Sequence, residues 1–356
     1  MSIKKVMLIT AVLLAAAFVL AACAGPAGPA GPAGPIGPTG PKGDTGPLPA
    51  AADLTCTACH NDTTLITGMQ ASYSTSVHAT GTAFAIANSR AGCTGCHAGG
   101  GFSDRIAAGV TDASKFTTVY ANPTRVDCRT CHQIHTIYTK ADFALETTAA
   151  VPLYAFATTP ATYDGGLGNL CANCHQPRAV VIAAAADGTI TVTSAHWGPM
   201  ASQAAMLLGV GGAGDVAGTP SAHYSTVKDT CVGCHMGGAG PNANHTFTPN
   251  VATCVTCHAD AKSFDNKGVQ TAVTAKIATL KTDLTKAKLL DANGNINVGA
   301  KLANTPNHDA KGNIVVGAAQ ANALWNYVFI TSDKSLGVHN AQYTNDLLDA
   351  SIAALK

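Results

Sequence analysis

The chain has 356 residues, a formal net charge of +1, 12% charged residues and 5% aromatic residues. That balance excludes a basic surface for nucleic acid and an electrostatically steered partner. The charged share is well below the ~25% of ordinary soluble domains, so like-charge repulsion is weak and self-association is tolerated.

Residues 1–22 begin with Lys4 and Lys5 and continue as the apolar run 6–22. This is the layout of a secretory signal, removed on export, and not of a spanning helix in the mature protein. Leu20-Ala21-Ala22-Cys23 resembles a bacterial lipobox, which implies that Cys23 becomes the acylated N-terminus and anchors the protein in lipid. The resemblance, with Ala24 and not Asp at the next position, implies sorting to the outer membrane, facing the cell surface or the periplasm. In residues 23–47, Gly recurs every third residue from Gly25 to Gly46, with Pro after each except Gly43. Strict Gly-x-y with Pro is the collagen pattern, because only Gly fits the axis of three wound chains. Two readings stay open: a stiff polyproline-II stalk of ~70 Å, or a stalk that trimerises the protein.

Residues 48–262 carry six Cys-x-x-Cys-His motifs: Cys56, Cys59 and His60; Cys93, Cys96 and His97; Cys128, Cys131 and His132; Cys171, Cys174 and His175; Cys231, Cys234 and His235; Cys254, Cys257 and His258. The spacing is that of c-type haem attachment. Two thiols add across the porphyrin vinyl groups, and the adjacent imidazole is held over the iron. Zinc accepts Cys-x-x-Cys pairs but has no use for a His after every pair. A thioredoxin-like site would occur once. The motifs absorb twelve of the 13 cysteines and leave none to form a disulfide with Cys23. Six haem c groups in so short a stretch predict a mainly α architecture with extensive loops, wrapped around six haems that replace a conventional core.

Residues 263–356 read as a helical segment packed on the haem domain. Val273, Ile277, Leu280, Leu284 and Leu289 recur at helical spacing within 269–290. Asp291-Ala292-Asn293-Gly294-Asn295 ends that helix, and 291–315 reads as loop with a hairpin near 309–313. Further helices are expected over 318–330 and 339–355, and none is long enough to span a membrane.

Each motif His takes one face of its iron, and the other face needs a second ligand. Seven of the 13 His lie outside the motifs. His78, His196 and His223 share the context Ser-x-His; His135 follows His132 by three residues and can only serve a neighbouring haem; His245 lies between the fifth and sixth motifs. His308, in a polar loop, is the odd one out and is expected at the surface. Met69, Met200, Met206 and Met236 are alternative sulfur ligands.

The region 231–258, with its Asn244-His245-Thr246-Phe247-Thr248-Pro249 insert, resembles the tandem-motif region of bacterial multihaem cytochromes c. The tail Asp333-Lys334-Ser335-Leu336-Gly337-Val338-His339 is similar to the closing helix of the pentahaem nitrite reductases and their octahaem relatives. That likeness implies that His339 is an axial ligand, with Asn340 helping to fix its ring. Those reductases usually bind their catalytic haem through Cys-x-x-Cys-Lys, which this chain lacks. Anchor, stalk and haem chain instead resemble cell-surface cytochromes. The function so implied is electron transfer through mostly bis-His, low-spin haems, with no catalytic residues, between redox donor and acceptor proteins or an extracellular acceptor. Subunits stacked into filaments are a further arrangement. The alternative is a reductase of a small nitrogen or sulfur oxyanion at one five-coordinate haem.

Overall fold

The described residues up to 268 are mostly loops, short helices and 3₁₀ turns, and only then does the chain reach long helices. The computed structural model describes residues 60, 64–138, 140–156, 161–179, 181–237 and 244–356. The signal segment, Cys23, the Gly-Pro stalk, Cys56 and Cys59 lie outside the described residues. Residues Pro49–Lys356 form one compact unit. Among the described residues no helix is long and apolar enough to cross a membrane.

The helices of this part are α1 Thr64–Ser74, α2 Val77–Thr80, α3 Ala91–His97, α4 Gly99–Ala107, α5 Cys128–Cys131, α6 Asn169–Ala172, α7 Gln203–Leu208, α8 Ala222–Thr226 and α9 Cys231–His235, and motif residues lie on α3, α5, α6 and α9. Side chains cap the starts of three of them. Asp127 and Thr130 make a capping box at α5, and Ser76 and Ser221 accept from Ala79 N and Tyr224 N at the starts of α2 and α8.

The C-terminal helices are α10 Val269–Lys286, α11 Ala318–Asp333 and α12 Ala341–Ala353, close to the three spans expected from periodicity. The turn at 309–313 is present: Asp309 N donates to Asn313 O (3.0 Å), Asp309 Oδ1 accepts from Lys311 N and Asn313 N, and His308 bridges Ile314. Asp291 organises the earlier loop in the same way, accepting from Asn293 N and Asn295 N.

A conventional apolar core is present after all. Val151, Leu153, Tyr163, Ile190, Val192 and residues 204–208 join Val273, Leu280, Leu284, Leu324, Phe329, Leu347 and Leu348 in one buried cluster. This core straddles residue 263. Its rows of small, β-branched and leucine residues are spread over segments too far apart for local periodicity to show that they meet. Two short two-stranded sheets were missed from the sequence, and the second of them stitches the two parts together. β1 (Val151–Pro152) pairs with β2 (Thr162–Tyr163), and β3 (Thr189–Val192) pairs antiparallel with β4 (Ile314–Gly317), placing Ile190 opposite Val316 and Val192 opposite Ile314. These four residues are buried while Val315 and Thr191 are not, the alternation that a half-buried strand pair requires.

Polar clamps hold α7 and the loop after it to the tail. Ser202 Oγ donates to Phe329 O (2.6 Å), Trp325 Nε1 to Gly211 O (2.8 Å) and Asn340 Nδ2 to Met206 O (3.1 Å). Phe329 is fully buried in this cluster. Phe329→Ala is expected to destabilise the protein by about 3–5 kcal/mol, whereas Val255→Ala at the exposed sixth motif should stay within about 0.5 kcal/mol. Denaturation followed by far-ultraviolet circular dichroism checks this, and equal costs would contradict a core centred on α11.

Candidate haem-ligand sites

All 13 histidines fall among the described residues, and ten of them meet in pairs. Every pair joins one motif His to one non-motif His. His60 faces His135 with ring centroids 6.1 Å apart; His132 faces His245 at 6.3 Å; His175 faces His78 at 6.2 Å; His235 faces His339 at 6.3 Å; His258 faces His223 at 6.0 Å. The angles between ring planes run from 27° to 81°. Packing alone would let the distance vary with the angle. A near-constant separation with free rotation is what two imidazoles on opposite faces of one metal give: nitrogens about 2 Å from the metal on each side put the centroids about 6 Å apart. Among the described residues no group of three or more His, Cys, Asp or Glu converges on a point. The donors come in twos, as the open axial positions of a haem iron require.

The ring nitrogens away from these faces are tied down. Nδ1 of His132 lies 2.7 Å from Phe143 O, that of His223 2.7 Å from Val338 O, and that of His235 2.9 Å from Phe247 O. Nδ1 of His339 lies 2.6 Å from Asp333 Oδ1. A hydrogen bond at Nδ1 leaves the Nε2 lone pair free and fixes the plane of the ring. Desolvation pushes the pKa of His78, His97 and His132 down, and that of His175 down to about 4, which keeps these imidazoles neutral near pH 7, as ligation demands. For His339 burial works in the same direction, but the Asp333 carboxylate overrides it and raises the pKa. The residue that orients His339 is Asp333. Asn340, expected in that role, instead caps α12 and holds Met206 O and Thr219 O.

The Ser-x-His repeats have a local cause. In two of them the Ser is the buried N-cap, and His78 and His223 stand at the second helical position, aimed by the first turn. In the third, Ser194 Oγ accepts from His196 N without starting a helix, and His196 is exposed. The structure brings no imidazole opposite His97 and pairs His196 with none. His308 is not at the surface. It is 8% exposed, with Nε2 2.7 Å from Asn297 O and Nδ1 2.9 Å from Pro306 O, so it locks two loops together. Met206 lies in the apolar core, accepting from Thr344 Oγ1.

Two residues with no ligand chemistry organise the sites. Asp142 accepts from the backbone N–H groups of His135, Ile137 and Tyr138 at 2.9, 2.9 and 3.0 Å, and so fixes the turn in which His135 takes a φ of 64°. Phe247 is a junction: its ring stands 4.9 Å from that of His78 and 6.1 Å from that of His245, and its carbonyl holds His235. Other contacts join the remaining sites. Cys96 and Cys174 touch, as do Cys171 and Cys231, and His223 reaches Val338 beside His339. With His135 of the first site three residues after His132 of the third, the sites, numbered by motif, run in the order first, third, fourth, fifth, sixth, with the second branching from the fourth.

Six attachment motifs and facing imidazoles are the features of a multihaem c-type cytochrome. Two solved structures are similar to the chain. One is described as the crystal structure of outer cell wall cytochrome OcwA, at 21% identity and a TM-score of 0.49 over 81% of this chain and 50% of that one. The other is an undecahaem cytochrome from the S-layer of Carboxydothermus ferrireducens, at 19% identity and a TM-score of 0.44 over 79% of this chain and 40% of that one. The chain thus spans half or less of the length of these structures. No protein-family model and no curated protein matches it.

Removing the caps tests how the ligands are aimed. Ser76→Ala and Ser221→Ala should each cost about 1 kcal/mol and broaden the spectral signature of one site, whereas Ser194→Ala should do neither. Thermal melts with electron paramagnetic resonance read both effects, and equal behaviour of the three variants would contradict the capping role.

Proposed function

We propose that this protein carries electrons along a line of six covalently attached haem c groups at the outer cell surface. The observation that carries the reading is the set of five imidazole pairs at 6.0–6.3 Å, each built from one motif and one non-motif His. Haem c, when bound, supplies a one-electron iron couple. The chain's own residues do the rest. The motif thiols fix each group covalently. The paired imidazoles would hold each iron from both sides, which would leave little to rearrange between oxidation states. The Nδ1 partners, Phe143 O, Val338 O, Phe247 O and Asp333, keep the rings from turning. The contacts through Phe247, Cys96–Cys174, Cys171–Cys231 and Val338 keep the sites adjacent. Donor and acceptor are redox proteins or an extracellular acceptor. An acylated Cys23 and the Gly-Pro stalk hold the unit off a lipid surface, alone, as a trimer or in a stacked filament.

One observation favours a second reading. His97 has no imidazole opposite it. An iron open on one face there fits a reductase of a small nitrogen or sulfur oxyanion, and turnover of nitrite or sulfite by the reduced protein would favour it over a carrier.

The intact mass of the exported protein should exceed that of its chain by six haem masses. His339→Ala should convert one haem to a high-spin, ligand-exchangeable form while His308→Ala leaves the optical spectrum unchanged. Five or fewer haems, or the opposite behaviour of the two variants, would contradict the reading.

A further inference from the structure

The described residues bury three formal charges besides histidine, and each lies against a candidate site: Arg105, Asp142 and Asp333. Such burial is costly without an opposite charge. Arg105 is 0% exposed and has no carboxylate within ion-pair distance among the described residues. Its guanidinium donates only to neutral oxygens: Gly95 O at 3.2 Å, Val110 O and Thr111 O at 3.0 Å, and Asn173 Oδ1 at 3.1 Å. Gly95 belongs to the second motif and Asn173 to the fourth, so this cation is wedged between those two sites. Asp333 faces no Lys or Arg; its carboxylate is divided between His339 Nδ1 and the Ser335 hydroxyl. It is not a generic ring-orienting group, because the other imidazoles with a tied Nδ1 use neutral carbonyls. Asp142 places a carboxylate beside His135 at the first site.

An electron arriving at a site adds a negative charge. A fixed buried cation favours it and a fixed buried anion opposes it, with little screening in a low-dielectric interior. The carboxylate on His339 acts the same way a second time, because an acceptor at Nδ1 makes the imidazole a stronger donor to its metal. We propose that these three charges grade the line: Asp142 and Asp333 make the first and fifth sites low in potential, and Arg105 makes the junction of the second and fourth sites the place where electrons collect. Given the order of contacts, transfer from the first site and from the fifth site then runs downhill to that junction. Internal transfer moves one electron from an arm site to a junction site and makes or breaks no bond. The electron collected beside the His97 branch leaves from there. This inference rests on the haem reading above.

The test is a spectroelectrochemical redox titration of the full exported protein, with haem content measured by intact mass on each sample. Asp333→Asn should move one low-potential component upward and change the g-spread of one low-spin signal, and Asp333→Glu should restore both. Arg105→Gln should move the highest components downward, whereas Arg105→Lys, which keeps the charge, should move them less. If Arg105→Gln does not fold, the Asp333 pair still decides, since loss of structure alone has no reason to raise one component selectively. Wild-type protein without six haems would remove the underlying reading. Six haems with titration curves unmoved by Asp333→Asn, or moved downward, would overturn this proposal alone.

Discussion

The separation of 6.0–6.3 Å across five imidazole pairs is the constraint to which the rest of the chain conforms. Each pair bridges segments far apart in sequence: His60 meets His135, His175 reaches back to His78, and His235 reaches forward to His339. With iron held between the rings, five such bridges would fix the fold of a region whose helices run from one to three turns and could not be stable alone. They would then act on the folded chain as cross-links do, closing long loops that would otherwise be costly to order.

Two kinds of stabilisation divide the molecule. Around the motifs, buried apolar side chains are few, and capping residues, Asp142 and Arg105 set the local geometry. Between Val151 and Leu348 an ordinary hydrophobic core forms, and it carries the last ligand. Gly337, at a φ of 92°, makes the turn that delivers His339, and a Cβ there would come within 3.0 Å of Val273. The Asp333 carboxylate at the end of α11 then sets the ring. The tail thus couples core packing to the fifth site, and through Val338 O to His223 at the sixth.

The motif residues, the three C-terminal helices and the turn at 309–313 were legible in the sequence, because each is a local pattern. The sequence also kept His135 away from a shared site with His132, and its ring stands opposite His60. What was not legible depends on distant partners. Nothing around His308 reveals that Asn297 O waits for its Nε2. Ser194-Ala195-His196 reads like the other two Ser-x-His segments, yet no helix follows it, and only the structure separates them. The pairing of Thr189–Val192 with Ile314–Gly317 needed two weak β-branched runs to be matched across more than a hundred residues. Arg105 and Asp333 look like ordinary surface charges until their burial is seen.

The central claim is that five irons have two imidazole ligands each and that the iron of His97 has none from this chain opposite it. Near-infrared magnetic circular dichroism of the oxidised, monomeric protein counts bis-imidazole haems directly. The account predicts a bis-imidazole intensity equivalent to five haems, with a sixth of different ligation that His97→Met perturbs alone. Six equivalents in the monomer, or fewer than five, would contradict it.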